Sequence, residues 1–342
     1  MLPNLFKKTR YQYMLSYIAF FLIHIFLPRY ISLHIYIYIS SFCILGFALN
    51  YYFADKLGIK TLEKTLASLV SPLGFFYILG HDEKLISETE LIKKSFVLYK
   101  EHFKGLFPYI LAFFSFAIVK TIILSAINIY QIQTESIPLK FLAINLIFNI
   151  IAFLVSMLLS FGIIRYIARI ILKLPVQKIG QELKDALPLF FPALAIYAIF
   201  FAITFLFVFL GNNIISLILI GIPIYWSIFI IHSLIIENVG PLEAFKLSRS
   251  IVQKKGWEIF WRMSFSLGFF FALLYIILNF FLLPIQTFLL PILLSNSLLG
   301  TLLNNSFALV GAMLFSLLTP LLLFISPTIL YFEIKKLLKN EK

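Results

Sequence analysis

The chain has 342 residues and a net charge of +13, with 61% hydrophobic, 18% aromatic and only 13% charged residues. An ordinary soluble domain carries about 25% charged residues, so this composition excludes one. The positive balance does not point to nucleic acid, because the basic residues are dispersed among loops that also hold most of the acids. Apolar runs long enough to cross roughly 30 Å of hydrocarbon recur from end to end.

Residues 1–10 form a basic start, and residues 11–27 are apolar. Pro28, Arg29 and Tyr30 stand where a signal peptide would need a small-x-small cleavage site, so the run reads as a retained first span. A very short turn joins it to a second span over residues 31–53, and 1–53 forms an N-terminal hairpin. The one cysteine, Cys43, lies inside that second run, which leaves no intrachain disulfide. Residues 54–104 are amphipathic, with a charged helix expected over 83–104. Residues 73–80 between them are apolar but too short to span.

Six further spans are expected near 105–128, 141–164, 188–210, 214–236, 257–283 and 303–332. The last two carry Pro284, Pro320 and Pro327, which predict kinks or a broken segment. Amphipathic helices near 175–187 and 241–255 interrupt the core, and 333–342 is a basic tail. The expected fold is an all-α polytopic membrane bundle of about eight transmembrane helices with three in-plane amphipathic helices. All but three of the 28 Lys and Arg fall in alternate loops; the exceptions are Arg29, Lys120 and Lys140. That asymmetry follows the positive-inside rule and puts both termini and the three amphipathic helices in the cytoplasm.

The most informative stretch is 237–260, E-N-V-G-P-L-E-A-F-K-L-S-R-S-I-V-Q-K-K-G-W-E-I-F. Pro241 suits a first helical position, and Glu243 in the first turn complements the helix dipole. Lys254, Lys255 and Gly256 carry C-terminal signals. Leu242, Phe245, Ser248, Ile251 and Val252 share one side, whereas Glu243, Lys246, Arg249, Ser250 and Gln253 share the other. Such a basic amphipathic helix fused to spans is expected to lie along anionic headgroups, with Lys246, Arg249, Lys254 and Lys255 as lipid contacts. Lys93 and Lys94 repeat the theme on the earlier helix. A shift of 153 residues pairs Glu90 with Glu243, Lys93 with Lys246, Ser95 with Ser248 and Phe107 with Phe260. A shorter version, Q-E-L-K-D-A-L, occupies 181–187. Residues 83–332 therefore read as three copies of one unit: amphipathic helix, span out, span back.

The run carrying Glu237, Asn238, Gly240, Glu243, Ser248, Arg249, Ser250 and Gly256, preceded by Gly221-Ile222-Pro223, resembles a bacterial inner-membrane family. That family includes the membrane domain fused to some glycerophosphodiester phosphodiesterases and stand-alone inner-membrane proteins of the YciC kind. The resemblance covers 83–332 as an architectural pattern, with 221–260 its specific part; residues 1–82 depart from it. It implies a fold and a location. The phosphodiesterase activity does not carry over, because no stretch here could form the soluble barrel that performs it.

Among candidates for chemistry, Lys120 is the one ionisable group well inside a span, with Asn145 and Asn149 at comparable depth on the next. The three either line a solute path, or Lys120 snorkels outward while the asparagines bind a neighbouring helix. Small residues also recur at helical spacing, as in Ser264, Gly268 and Ala272, where they favour close packing of a bundle over a pore. No span interior holds Asp or Glu. The five histidines (24, 34, 81, 102 and 232) match no zinc spacing, and no phosphate-binding or nucleophile motif occurs. His232 and Glu237 are the nearest approach to an acid–base pair. The expectation is a non-enzymatic membrane protein that supports envelope organisation or membrane-complex assembly, without cofactor or metal. The alternative is a transporter of a small or lipid-like solute. Expected partners are anionic membrane lipids and an unidentified membrane protein.

Overall fold

The computed structural model describes residues 9–20, 35–57, 59, 64–65, 68–69, 73–82, 84–134, 139–209, 226–293 and 298–340. Among these the protein is all-helical. Among the described residues five helices are long and apolar enough to cross a membrane: Phe103–Ile127, Leu139–Ile171, Ile179–Ala202, Pro241–Phe280 and Leu309–Asn340. The chain divides into two compact units, Met1–Leu85 with Lys255–Arg262, and Ile86–Lys254 with Met263–Lys342.

In the first unit, α1 covers 9–20, α2 is Ile35–Lys56 and α3 is Leu73–Gly80. Their core is aromatic: the Tyr17 and Phe75 rings stack at 4.2 Å, and Tyr13 lies 4.7 Å from Phe53. The buried Tyr13 hydroxyl donates to Asn50 Oδ1, so the polar tip of a core ring is satisfied within the helix pair. At its C-terminal end α3 meets Trp261 so closely that a Cβ on Gly80 would stand 2.4 Å from the Trp261 Cβ. Only glycine fits that approach.

In the second unit, α4 is Glu88–Glu101, capped by the Ser87 hydroxyl, which accepts from the Glu90 N–H. The expected start near 83 is corrected to Glu88 by that cap, which fixes where helical hydrogen bonding begins. The helices that follow are α5 (Phe103–Thr134), α6 (Leu139–Ile171), α7 (Ile179–Ala186), α8 (Phe190–Phe209) and α9 (Ile230–Glu237). Asn238 ends α9 at φ 54°, ψ 46°, a left-handed cap that asparagine tolerates better than most residues. The amphipathic stretch after it ends at its expected stop signals: Lys255 leaves helical geometry, at φ −132° and ψ 34°, and the kink there separates it from the apolar helix that follows; the two together are α10 (Pro241–Leu293).

Next come α11 (Leu298–Thr319), a π-helical turn (Pro320–Ile325) and α12 (Ser326–Asn340). The proline-bearing break expected in the last span is this π turn, since Pro320 lacks the N–H that an α-helical ladder needs there. α5 packs along α11. A buried core lies where α6, α9 and α12 meet, through Phe161 and Ile163 of α6, Leu234 of α9, and Leu330 and Tyr331 of α12. The spans themselves are mostly uncovered, which matches helices whose apolar surface faces lipid.

One sequence expectation is reversed here. Ser264, Gly268 and Ala272 of α10 are exposed, and the face that packs carries Ser266, Phe270 and Leu274. Phe270 reaches Phe96 of α4 at 5.4 Å between rings, so a bulky aromatic decides the packing face over a small-residue stripe.

Candidate functional site

Of the candidate polar residues in the spans, only the two asparagines are joined by a hydrogen bond. Asn149 Nδ2 donates to Asn145 Oδ1 at 3.3 Å, one helical turn along α6 on an exposed face. Lys120 is exposed on α5 and makes no bond to either asparagine. Gly221 and Pro223 lie outside the described residues. His232 is buried beside Tyr331, ring centroids 6.1 Å apart, with no hydrogen bond to either nitrogen. Glu237 accepts from the Tyr331 hydroxyl at 3.0 Å and pairs with Lys335, so His232 and Glu237 are separated in partner as well as in face. Among the described residues no group of three or more His, Cys, Asp or Glu is placed to hold a metal ion.

Polar chemistry concentrates instead where α4, α7 and the first part of α10 meet the ends of other helices in the second unit. Ser248 of α10 is fully buried; its hydroxyl donates to the Trp226 carbonyl at 2.7 Å and accepts from the Phe229 N–H at 3.1 Å. Those two backbone groups stand at the start and the end of the turn through 226–229 that precedes α9. Arg249 stacks on the Trp226 ring at 4.4 Å. Ser95 of α4 is equally buried and bonds to Ser326 Oγ at 2.8 Å, at the end of the π turn. Nearby, Lys94 pairs with Glu333 of α12 at 2.9 Å, and Tyr99 donates to the Leu317 carbonyl. Glu182 of α7, with no exposed surface, sits between Arg169 at 2.7 Å and Arg165 at 3.3 Å on α6, with Asp185 beside them. Serines and a carboxylate thus occupy places where helix irregularities or guanidinium groups need a buried partner.

No family model, curated protein or solved structure matches the chain.

The lysines and arginine singled out as lipid contacts divide into two groups. Lys93, Lys246, Arg249 and Lys254 are exposed. Lys94 is held between Glu333 and Glu90, and the Glu333 hydrogen bond pushes its ammonium pKa up. Lys255, which like Asp82 belongs to the first unit, is committed to that carboxylate at 2.9 Å. Of the motif residues, Glu237, Asn238 and Ser248 have the roles given above, whereas Gly240, Glu243 and Ser250 are exposed and Gly256 follows the kink.

Sequence reasoning missed one cluster altogether, in the first unit. Arg262, almost fully buried, donates to the Gly80 carbonyl at 2.7 Å and to the Asp82 carbonyl at 3.1 Å, closing the C-terminal end of α3. Arg10 pairs with Glu258 and bonds the His81 carbonyl, and Lys255 pairs with Asp82. Burial drives the Asp82 carboxyl upward. The Lys255 hydrogen bond, the Lys84 N–H, and the charges of Lys255 and Arg10 outweigh it and hold the group below its usual range. Glu258 and Arg262, one turn apart just after the kink, were the available signal: a charged pair inside the start of an apolar run.

Proposed function

We propose that the protein is an eight-span bacterial inner-membrane scaffold that organises the envelope or a membrane complex. Its termini and three amphipathic helices face the cytoplasm, and those helices form a platform against anionic headgroups. One observation carries the reading: each amphipathic helix is tied by a buried polar side chain to a different helix end. Ser95 ties α4 to the start of α12, Glu182 ties α7 to the end of α6, and Ser248 ties the first part of α10 to the turn before α9. A catalytic or transport machine concentrates its buried polar groups around a substrate. Here they hold the surface helices in fixed positions.

The same pattern supports a threefold repeat. Ser95 and Ser248, paired by the 153-residue shift, do equivalent work. On this reading each amphipathic helix grips the returning span of the unit before it, and α4 closes the ring on the last. The likeness to the YciC kind of membrane protein belongs to this proposal and would account for 221–260.

The platform is tested by replacing Lys246, Arg249 and Lys254 with glutamine and counting bound anionic lipid by native mass spectrometry. Lys255 is left in place because it serves Asp82. About 1 kcal/mol per basic residue is at stake at an anionic surface, so the triple variant should lose most of its retained phosphatidylglycerol. Unchanged retention would refute the platform.

A further inference from the structure

A cleft of about 720 Å³ opens between α4, the end of α6 and α12. Its floor is apolar, with Val97, Leu98, Ile170, Ile171, Ile329 and Phe332. Its rim is charged and balanced, with Lys93, Lys94 and Lys336 against Glu90, Glu101 and Glu333. Lys94 is taken by Glu90 and Glu333. Lys93, Lys336 and Glu101 make no ion pair or hydrogen bond among the described residues, so two cations and one anion are left facing the opening.

We infer that this cleft binds one glycerophospholipid with a zwitterionic primary-ammonium headgroup, of the ethanolamine class. The inference rests on the membrane reading above but names a lipid that the anionic platform does not. A lone anion would satisfy the lysines and leave Glu101 facing it, at a cost. A phosphate joined to an ammonium satisfies all three, through charge-assisted hydrogen bonds at both ends. Lys93, Val97 and Glu101 succeed one another at intervals of four on one face of α4, about 12 Å from first to last at 1.5 Å per residue. Side chains reaching inward over that distance leave room for a phosphate and an ammonium in series. The apolar floor receives the upper acyl chain, and the volume lies within the roughly 300–1,000 Å³ common for small-molecule sites. Phosphatidylcholine fits the floor equally well, but its quaternary nitrogen has no N–H for Glu101.

The experiment uses the full chain in detergent micelles and native mass spectrometry with dioctanoyl phosphatidylethanolamine, phosphatidylglycerol and phosphatidylcholine in turn. One ethanolamine lipid should bind about tenfold more tightly than either competitor, the equivalent of one charge-assisted hydrogen bond. Glu101→Gln should remove that preference while leaving phosphatidylglycerol binding unchanged or stronger. Lys93→Gln with Lys336→Gln should weaken binding of all three. Val97→Trp, which fills the floor from an exposed position, should abolish the single bound lipid and serves if Glu101→Gln fails to fold. Equal binding of ethanolamine and choline lipids, or an ethanolamine preference that survives Glu101→Gln, overturns the proposal. Tighter phosphatidylglycerol binding would show a site that reads an anion alone, and would overturn it too. The Lys246, Arg249 and Lys254 replacements lie outside the cleft, so failure of the platform and failure of this site are read separately.

Discussion

Ser248 and Ser95 occupy matching places but stabilise the protein unequally. The Ser248 hydroxyl satisfies two buried backbone groups at once, Trp226 C=O and Phe229 N–H. Ser248→Ala strands both, which at about 1–3 kcal/mol per buried unsatisfied group predicts a loss of about 2–6 kcal/mol. In Ser95→Ala, Ser326 keeps its second bond to the Leu321 carbonyl, so the loss should be about 1 kcal/mol. Thermal unfolding of the two variants in the same detergent checks the order; equal losses would remove the special role of Ser248. Asp82 gives a pH prediction. Its folded pKa lies below the unfolded value, so its contribution is complete above the unfolded carboxylate value of about 3.9 and is lost as pH falls through the folded one. The first unit should hold its melting temperature from pH 7 to 5 and lose stability below pH 4. Asp82→Asn should be less stable at pH 7 and should flatten the acid limb.

At the scale of elements, α7 and α4 are fastened by opposite kinds of ion pair. Glu182 is fully enclosed by α6 and its two arginines, whereas Lys94 and Glu333 stay partly in water. Removing one partner of an enclosed pair strands a charge, and Glu182→Ala should cost about 3 kcal/mol and release α7. Lys94→Ala should cost under about 1 kcal/mol, because solvent already screens that pair. Hydrogen exchange over 179–186 and 88–101 reads both, and protection at 179–186 surviving Glu182→Ala would argue against the anchor. From the sequence α4 starts near 83, and neither the Ser87 cap nor the left-handed Asn238 cap is read from it; both are seen only in the structure. The break in α10 at Lys255 was legible, since a glycine beside two lysines is a stop signal. The close approach of Trp261 to Gly80 was not, because it joins residues far apart in the chain.

For the whole molecule, orientation is the testable statement. In a Cys43→Ser background, single cysteines replacing Glu135, Asn212 or Asn296 should react with an impermeant thiol reagent outside intact cells. Cysteines replacing Lys60, Gly180 or Gln253 should stay unlabelled until the cells are opened. Labelling at Gly180 without labelling at Asn212 would overturn both the orientation and the span count. Helicity, the lengths of the apolar runs and the amphipathic pattern are properties of neighbouring residues, and the sequence by itself determined them. Which face of each helix is covered depends on residues far along the chain. Ser95 meets Ser326, Arg262 meets Gly80, and Phe270 rather than Gly268 turns inward. In lipid no hydrophobic difference separates one apolar face from another, so buried polar partners and close ring packing select the contacts, and only the tertiary structure decided them.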